Sequence, residues 1–506
     1  MALCSPQVAA GGLADLGIQE EVCYGDLPVV PNLATFRRRS TTLTLTKDSY
    51  TSEELRSDRM VSDARHGTRR ANGDITVELS PGSHHMAWEA LLGGYWQSPT
   101  ALDLTTVAVT LDVVLGNDDI MTMTRAAGDF RVDGFRAGDT VRTSGASPNV
   151  NGLNFTVVGF DPAGLVMTVL TPPQGVTGTP HVLNAGILGV RGARVEMGNI
   201  PRSFVFERAF SDIGQFIVYR GMKFNTAAVD LPATGIATAT FGLMGQNADP
   251  VKTASYDGVP ELILTDVELG ALTFDAVAGT ITAAVGNWGL LGVQPKDKVI
   301  FDGPGFDAMP QNRNPRTVIS LNAGVMTVAE AVQSGVTAGA FTATRVGLPD
   351  YTDDENEPVL VAVSGVLVVN GDPVATVTAA SFNIDNQIDG SPVVGTNVVP
   401  IMLYGLQSLM TGSLTVLFDR GGAGALLYNA FDQEIDVNLF MRLDSSDQID
   451  FLSFFFPRVK VNTGDIGDAE ATGLPVTVAW SALKPFPESG HVSQMIIQDS
   501  TVVGVP

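Results

Sequence analysis

Residues 73–94, "GDITVELSPGSHHMAWEALLGG", decide how this chain is read, because a close variant, "GSLTVLFDRGGAGALLYNAF", returns at residues 412–431. In the first stretch Ile75, Val77 and Leu79 alternate with Asp74, Thr76 and Glu78, which predicts a strand with one apolar and one polar face. Leu414, Val416 and Phe418 hold the same places in the second. A turn follows each, one residue longer in the second copy. Ala87, Ala90 and Leu91 then lie at helical spacing, matched by Leu427, Ala430 and Phe431, with Trp88 answering to Tyr428.

The match continues on both sides. Downstream, "FIVYRGMKFNTAAVDLPATGIATATFGLMG" (216–245) aligns with "FLSFFFPRVKVNTGDIGDAEATGLPVTVAWSAL" (451–483), and Lys223, Asn225 and Thr226 fall on Lys460, Asn462 and Thr463. Upstream, "TTLTLTKDSY" (41–50) and "TAASFNIDNQ" (378–387) correspond as strands entering a long loop. Three blocks in one order predict two copies of a strand-rich sandwich, each with a flanking helix.

A different repeat lies between these blocks. "GDFRVDGFRAGDTVRTSG" (128–145) resembles "GNWGLLGVQPKDKVIFDG" (286–303), and "NFTVVGFDPAGLVMTV" (154–169) resembles "NPRTVISLNAGVMTV" (314–328). Phe130 aligns with Trp288 and Asp139 with Asp297. Two small all-β modules are expected, one interrupting the first sandwich and the other between the copies, as the slow growth of loop-closure cost permits. The predicted fold class is therefore mainly β: two tandem β-sandwich domains, each with a flanking helix, plus two inserted small all-β modules. The predicted layout is an N-terminal arm over 1–37, a first main domain over 38–97 and 196–250, modules over 98–195 and 251–350, and a second main domain over 358–506. The arm reads either as lying on a neighbouring subunit or as disordered, and the acidic stretch "PDYTDDENEP" (349–358) as a linker.

Composition agrees. With 506 residues the chain should hold about three or four domains. Hydrophobic residues at 44% and charged residues at 17% supply cores, and 54 glycines with 28 prolines suit short strands and turns. A net charge of −24 argues against an outer surface that grips nucleic acid, and fits a surface past which DNA slides. The two cysteines, Cys4 and Cys23, are too few to organise the fold and point to a reducing compartment. No run approaches the length of a membrane helix, and the first residues lack a signal-peptide pattern, so no membrane insertion is expected.

Catalysis needs converging polar groups, and none converge here. His84 and His85 read as a surface pair without further ligands, and "TDDENE" (352–357) lacks calcium-loop spacing. No enzyme, cofactor or metal is expected. The unusual polar segment is 51–73, where Arg56, Arg59, Arg65, Arg69 and Arg70 interleave with Glu53, Glu54, Asp58 and Asp63. It is too long for a hairpin loop and reads as a contact loop that meets a neighbouring subunit, where mixed charge gives register and specificity, or as a merely exposed loop. The counterpart at 388–412 is nearly uncharged and apolar, as expected if the two loops meet different partners.

The segments "EELRSDRMVSDARHGTRRANGDITVELSPGSHHMAWEALLGG", "YRGMKFNTAAVDLPATGIATATFGLMGQ" and "ASFNIDNQIDG" resemble the tail tube (major tail) proteins of long-tailed bacteriophages. The resemblance covers the two main-domain copies, not the inserted modules. It implies a virion structural protein, assembled in the host cytoplasm, whose strands join those of neighbours into a ring. Rings would stack into a hollow tube for genome delivery, with self, the tape-measure protein and the tail terminator or distal tail proteins as partners, and DNA passing through without specific binding. Where single-domain relatives make rings of six, a duplicated chain would make a trimer with approximate sixfold symmetry. The modules would decorate the outside, and deleting one should leave tubes intact. The alternatives are an adhesin or receptor-binding protein carrying β modules, and a carbohydrate-acting tail enzyme, for which no carboxylate pair stands out.

Overall fold

The computed structural model describes residues 11–502 apart from short breaks, the longer ones at 257–261, 294–297, 347–350, 352–357, 362–365, 419–422 and 467–473. "TDDENE" and the position Asp297 therefore lie outside the described residues. The protein is mainly β. Its main-domain elements are β1 (Ala14–Glu20), β2 (Thr44–Thr51), β3 (Ala64–Glu78), α1 (His85–Leu92), β4 (Phe204–Phe210), β5 (Gln215–Pro232), β6 (Thr238–Gly245), β7 (Val377–Asp385), β8 (Leu409–Leu417), α2 (Ala423–Asp432), β9 (Val437–Asp444), β10 (Phe451–Val461), β11 (Pro475–Ala482) and β12 (Ile496–Asp499). The chain divides into two compact units, one of Met1–Phe36, Phe204–Met222 and Gln246–Asp354, the other of Arg37–Ser203, Lys223–Gly245 and Glu355–Pro506.

Strand pairing turns the first repeat into a residue-by-residue one. Ile75 lies opposite Phe241 as Leu414 lies opposite Val478, and Lys223 opposite Met244 as Lys460 opposite Ser481. The register slips by one residue in both copies, at Asn225 in the first and between Val461 and Asp465, a stretch that includes the equivalent Asn462, in the second. The upstream strands need a correction. Thr41 faces Ile75 and Ala380 faces Leu414, so Thr41 answers to Ala380, two residues from the frame read in the sequence. A shift of two leaves every side chain on its face, which is why alternation alone does not detect it.

Within the second unit the order β2-β3-β6-β5-β7-β8-β11 forms one antiparallel sheet, β5 contributing from Lys223 onward. The junction between copies is the β5–β7 pair, running from Thr226 opposite Asp385 to Pro232 opposite Ala379. One face buries Ile75, Phe241, Val229, Phe382, Leu414 and Val478. Beneath it an edge-to-face aromatic chain links the copies: Trp88 to Phe454 at 5.5 Å, Phe454 to Phe382 at 5.0 Å, Phe382 to Phe456 at 5.4 Å and Phe456 to Trp480 at 4.8 Å.

In the first unit β1 pairs with β4, and Leu16 and Ile18 are buried. The reading of 1–37 as an arm on a neighbour or as disorder is corrected for 14–20, which form a strand of the chain's own sheet.

The two inserted modules share a topology. Each has eight strands, spanning 101–190 and 262–346, and numbered along the chain their spatial order in both is one, eight, four, five, six, three, two, seven. Phe130 and Trp288 are both fully buried, each in its own module's core.

The first module is built into the second unit. Ile120, Ala137, Val158 and Leu170 pack on Val368, Phe440, Phe455 and Ile496. Around that patch Arg194 holds Asp139 at 2.9 Å, Arg136 pairs with Glu196, and Arg442 holds Asp444 at 2.8 Å while donating to the Thr156 hydroxyl at 2.6 Å. Gln498 accepts from the Thr140 amide at 2.8 Å and donates to its carbonyl at 2.9 Å. This packing bears on the expectation that deleting a module leaves tubes intact, since removing this one would uncover aromatic surface and strand buried charges.

Candidate functional site

In a chain built of sheets that end in open strands, the informative surfaces are the sheet edges and the loops beside them. β2 has a strand partner, β3, on one side only among the described residues. At the other end of the sheet the short strand Asp465–Ile466 pairs with β11 and has no second partner among the described residues. Open edges carry unpaired N–H and C=O groups and are templates for another strand.

The joint between copies shows how such an edge is closed. After β7 leaves β5, the Asn386 amide donates to the Asn225 carbonyl at 2.9 Å and the Ile388 amide to Asn225 Oδ1 at 2.7 Å. Asn386 Nδ2 donates to the Leu91 carbonyl at the end of α1 at 2.9 Å, which satisfies one of the carbonyls a helix end leaves unpaired. Lys223 Nζ donates to the Met402 carbonyl at 2.9 Å and lies over the Tyr404 ring at 5.1 Å. The bulge asparagine, the helix end and the lysine thus form one receptor for segment 386–408. Sequence reading found Lys223 and Asn225 as repeated letters but not their role; the signal was an amide side chain kept in both copies where alternation breaks.

The sequence-predicted contact residues are only partly a loop. Glu53, Glu54, Arg56, Asp58, Arg59 and Asp63 occupy the exposed connection 52–63, whereas Arg65, Arg69 and Arg70 lie on β3, whose hairpin with β2 is longer than expected. Arg56 pairs with Asp58 at 2.8 Å, Arg65 with Asp63 at 3.2 Å and Arg70 with Asp48 at 3.2 Å. The Arg56 guanidinium holds the Asp58 carboxyl below its usual range. Such exposed pairs are screened by water and contribute little to stability. Arg69 stands apart: its amide donates to the Asn397 carbonyl at 2.9 Å, tying the hairpin to the second copy's loop.

The histidines also need a correction. His84 is buried rather than on the surface, its Nε2 donating to the Arg37 carbonyl at 2.8 Å and its ring 6.2 Å from Phe241. It takes a left-handed conformation, φ 61°, at the N-cap of α1. Burial pushes it down to about 4, and burial with Arg136 and Arg194 does the same to His491. Both fold neutral while the unfolded side chains titrate near 6.5, so the stability they contribute is complete above about pH 6.5 and is lost as pH falls toward 4. The loss is about 3 kcal/mol per histidine. Thermal melts between pH 7 and pH 4 should show this slope, and His84→Gln, which keeps a donor, should reduce it; an unchanged slope would contradict the assignment.

The other face of the shared sheet carries Thr76, Thr240, Ser381, Asn383, Ser413 and Thr477 between the carboxylates of Asp74, Glu78, Asp230 and Asp385. Lysines enter this face at its loop end, Lys223 opposite Met244 and Lys460 opposite Ser481. The rows between are a hydroxyl-rich, acidic surface that offers a phosphate little counter-charge.

No curated protein sequence matches the chain. A family model described as "Phage tail tube protein" matches residues 11–297 and 306–482, nearly the whole chain and including the inserted modules. Duplicated sandwich domains, an open strand edge at either end of their joint sheet and this match agree: the chain belongs to the phage tail tube protein family, a structural component of the virion tail.

Proposed function

We propose that three chains close into a ring of approximate sixfold symmetry, and that such rings stack into the conduit through which a long-tailed phage delivers its genome. The observation that carries this is the β5–β7 joint. Each copy presents its strands in the same order, so the joint made within the chain can be repeated between chains, the Asp465–Ile466 edge of one meeting β2 of the next. Carrying the in-chain register over by the offsets of the two copies puts Thr463 opposite Thr46 of the neighbour, as Thr226 stands opposite Asp385. Ring closure would leave no edge exposed.

The acidic hydroxyl face suits the bore, since DNA would find little counter-charge there to bind. The modules then belong outside, consistent with the first one packing on strands away from that face. The domain boundaries expected from sequence, assembly in the host cytoplasm, and the tape-measure, terminator and distal tail partners stand as part of this reading. Native mass measurement and negative-stain imaging of purified rings test it: three chains per ring with six similar lobes are expected, and six whole chains would overturn the stoichiometry. Discrete trimers that bind cells and never stack would favour the adhesin reading.

A further inference from the structure

We infer that the loop 52–63 of one chain seats on the α2 face of the next chain in the same ring, with Leu55, Met60 and Val61 against Tyr428, Phe431 and Ile435. This rests on the ring reading above and adds to it a specific partner surface for the charged loop.

The two copies differ in how their helix is covered. In the first, α1 is enclosed: Trp88 and Leu91 are 1% and 2% exposed, and segment 386–408 is held at the helix end by Asn386, Asn225 and Lys223. In the second, the corresponding helix buries Leu427 and Ala430 but leaves the rest of its apolar face uncovered. Tyr428, Phe431 and Ile435 are 37%, 40% and 49% exposed, and Asn462, at the position of Asn225, stands beside the open Asp465–Ile466 edge. By the register of the copies, the segment leaving β2 is to α2 as 386–408 is to α1. That segment is the loop 52–63.

The loop is built to be covered. Among its charges it carries Leu55, Met60 and Val61, exposed by 100%, 69% and 67% in the isolated chain. Three apolar side chains grouped on a loop are a cost in water and a contact area in an interface. Charge at the rim is mixed: the loop and its strand carry Arg56, Arg59 and Arg65 beside Glu53, Glu54, Asp58 and Asp63, while the end of α2 carries Asp432 and Glu434 next to Lys460, and Arg59 is the loop arginine without an ion pair inside the loop. Opposite charge at the rim sets the partner and the register more than the affinity. The apolar loop 388–408 finds its receptor within the chain, and the charged one finds the equivalent receptor on the neighbour, which accounts for their different composition.

A photo-crosslinking residue, p-benzoylphenylalanine, in place of Phe431 tests this in rings assembled from a mixture of normal and nitrogen-15-labelled chains. The expected adduct joins position 431 to the peptide carrying residues 52–63 of a different chain, and Leu55→Ser with Met60→Ser and Val61→Ser should lower its yield about tenfold, the effect of losing a modest interface contact. With rings of three-chain mass present, an adduct to any other segment, an adduct within one chain, or no adduct overturns the docking and leaves the ring reading intact. Absence of three-chain rings by native mass overturns both.

Discussion

A variant carrying Thr46→Cys and Thr463→Cys, in a background with Cys4→Ser and Cys23→Ser, is expected to run after oxidation as a covalent trimer, with dimer and monomer as the other bands. Thr46 and Thr463 are exposed in the isolated chain and become directly opposed when the in-chain β5–β7 register is applied between chains. Opposed antiparallel residues sit about 4.5–5.5 Å apart at Cα, within the span a disulfide bridges. The in-chain pair supplies the control: Thr226→Cys with Asp385→Cys should close inside one chain and leave it monomeric under denaturing conditions. A ladder continuing to six would mean six whole chains per ring. Monomer alone, with the control pair closed, would mean that the edges meet in another register or not at all.

The second large effect is expected from the first inserted module. Replacing residues 101–190 by a short Gly-Ser connection should leave a chain that is insoluble or melts far below the parent. The ends to be joined are compatible, since Trp96–Gln97 pairs with Ala193–Glu196. What is lost is the cover over Val368, Phe440, Phe455 and Ile496, together with Asp139 beside Arg194. Leaving one member of a buried ion pair alone costs about 3–5 kcal/mol, comparable to much of the stability of a typical domain. Soluble yield and thermal melts decide it. If the shortened protein is soluble, melts within a few degrees of the parent and still forms rings, the packing described between module and sandwich contributes little. Asp139→Asn with Arg194→Gln, removing both charges together, should be milder than either change alone.

Much of the fold was legible in the sequence because strand and helix faces write themselves as periods. Ile75, Val77 and Leu414, Val416 announce two strands, and the aligned Phe130 and Trp288 announce two modules whose strand order proves identical. What was not legible depends on partners distant in sequence. His84 looks like surface chemistry as a letter beside His85, and only Phe241 and the Arg37 carbonyl make it core. β1 hides because "ADLGIQE" is short and glycine-broken, and its pairing with β4 is a matter of backbone. The same holds for the joint between copies, made of N–H and C=O groups that every residue carries. The loop 52–63 was half legible: its charges stand out in the sequence, whereas the exposed apolar face of α2 that we propose it covers does not.

The β5–β7 joint also bears on kinetics. Because the two copies are tethered and already paired, every second seam of the proposed ring exists before any two molecules meet, at an effective concentration independent of dilution. Closing such a ring is a three-body event where an unduplicated subunit would face a six-body one. The onset of assembly should therefore be far less steep in protein concentration, and rings should form from a scarcer pool of chains.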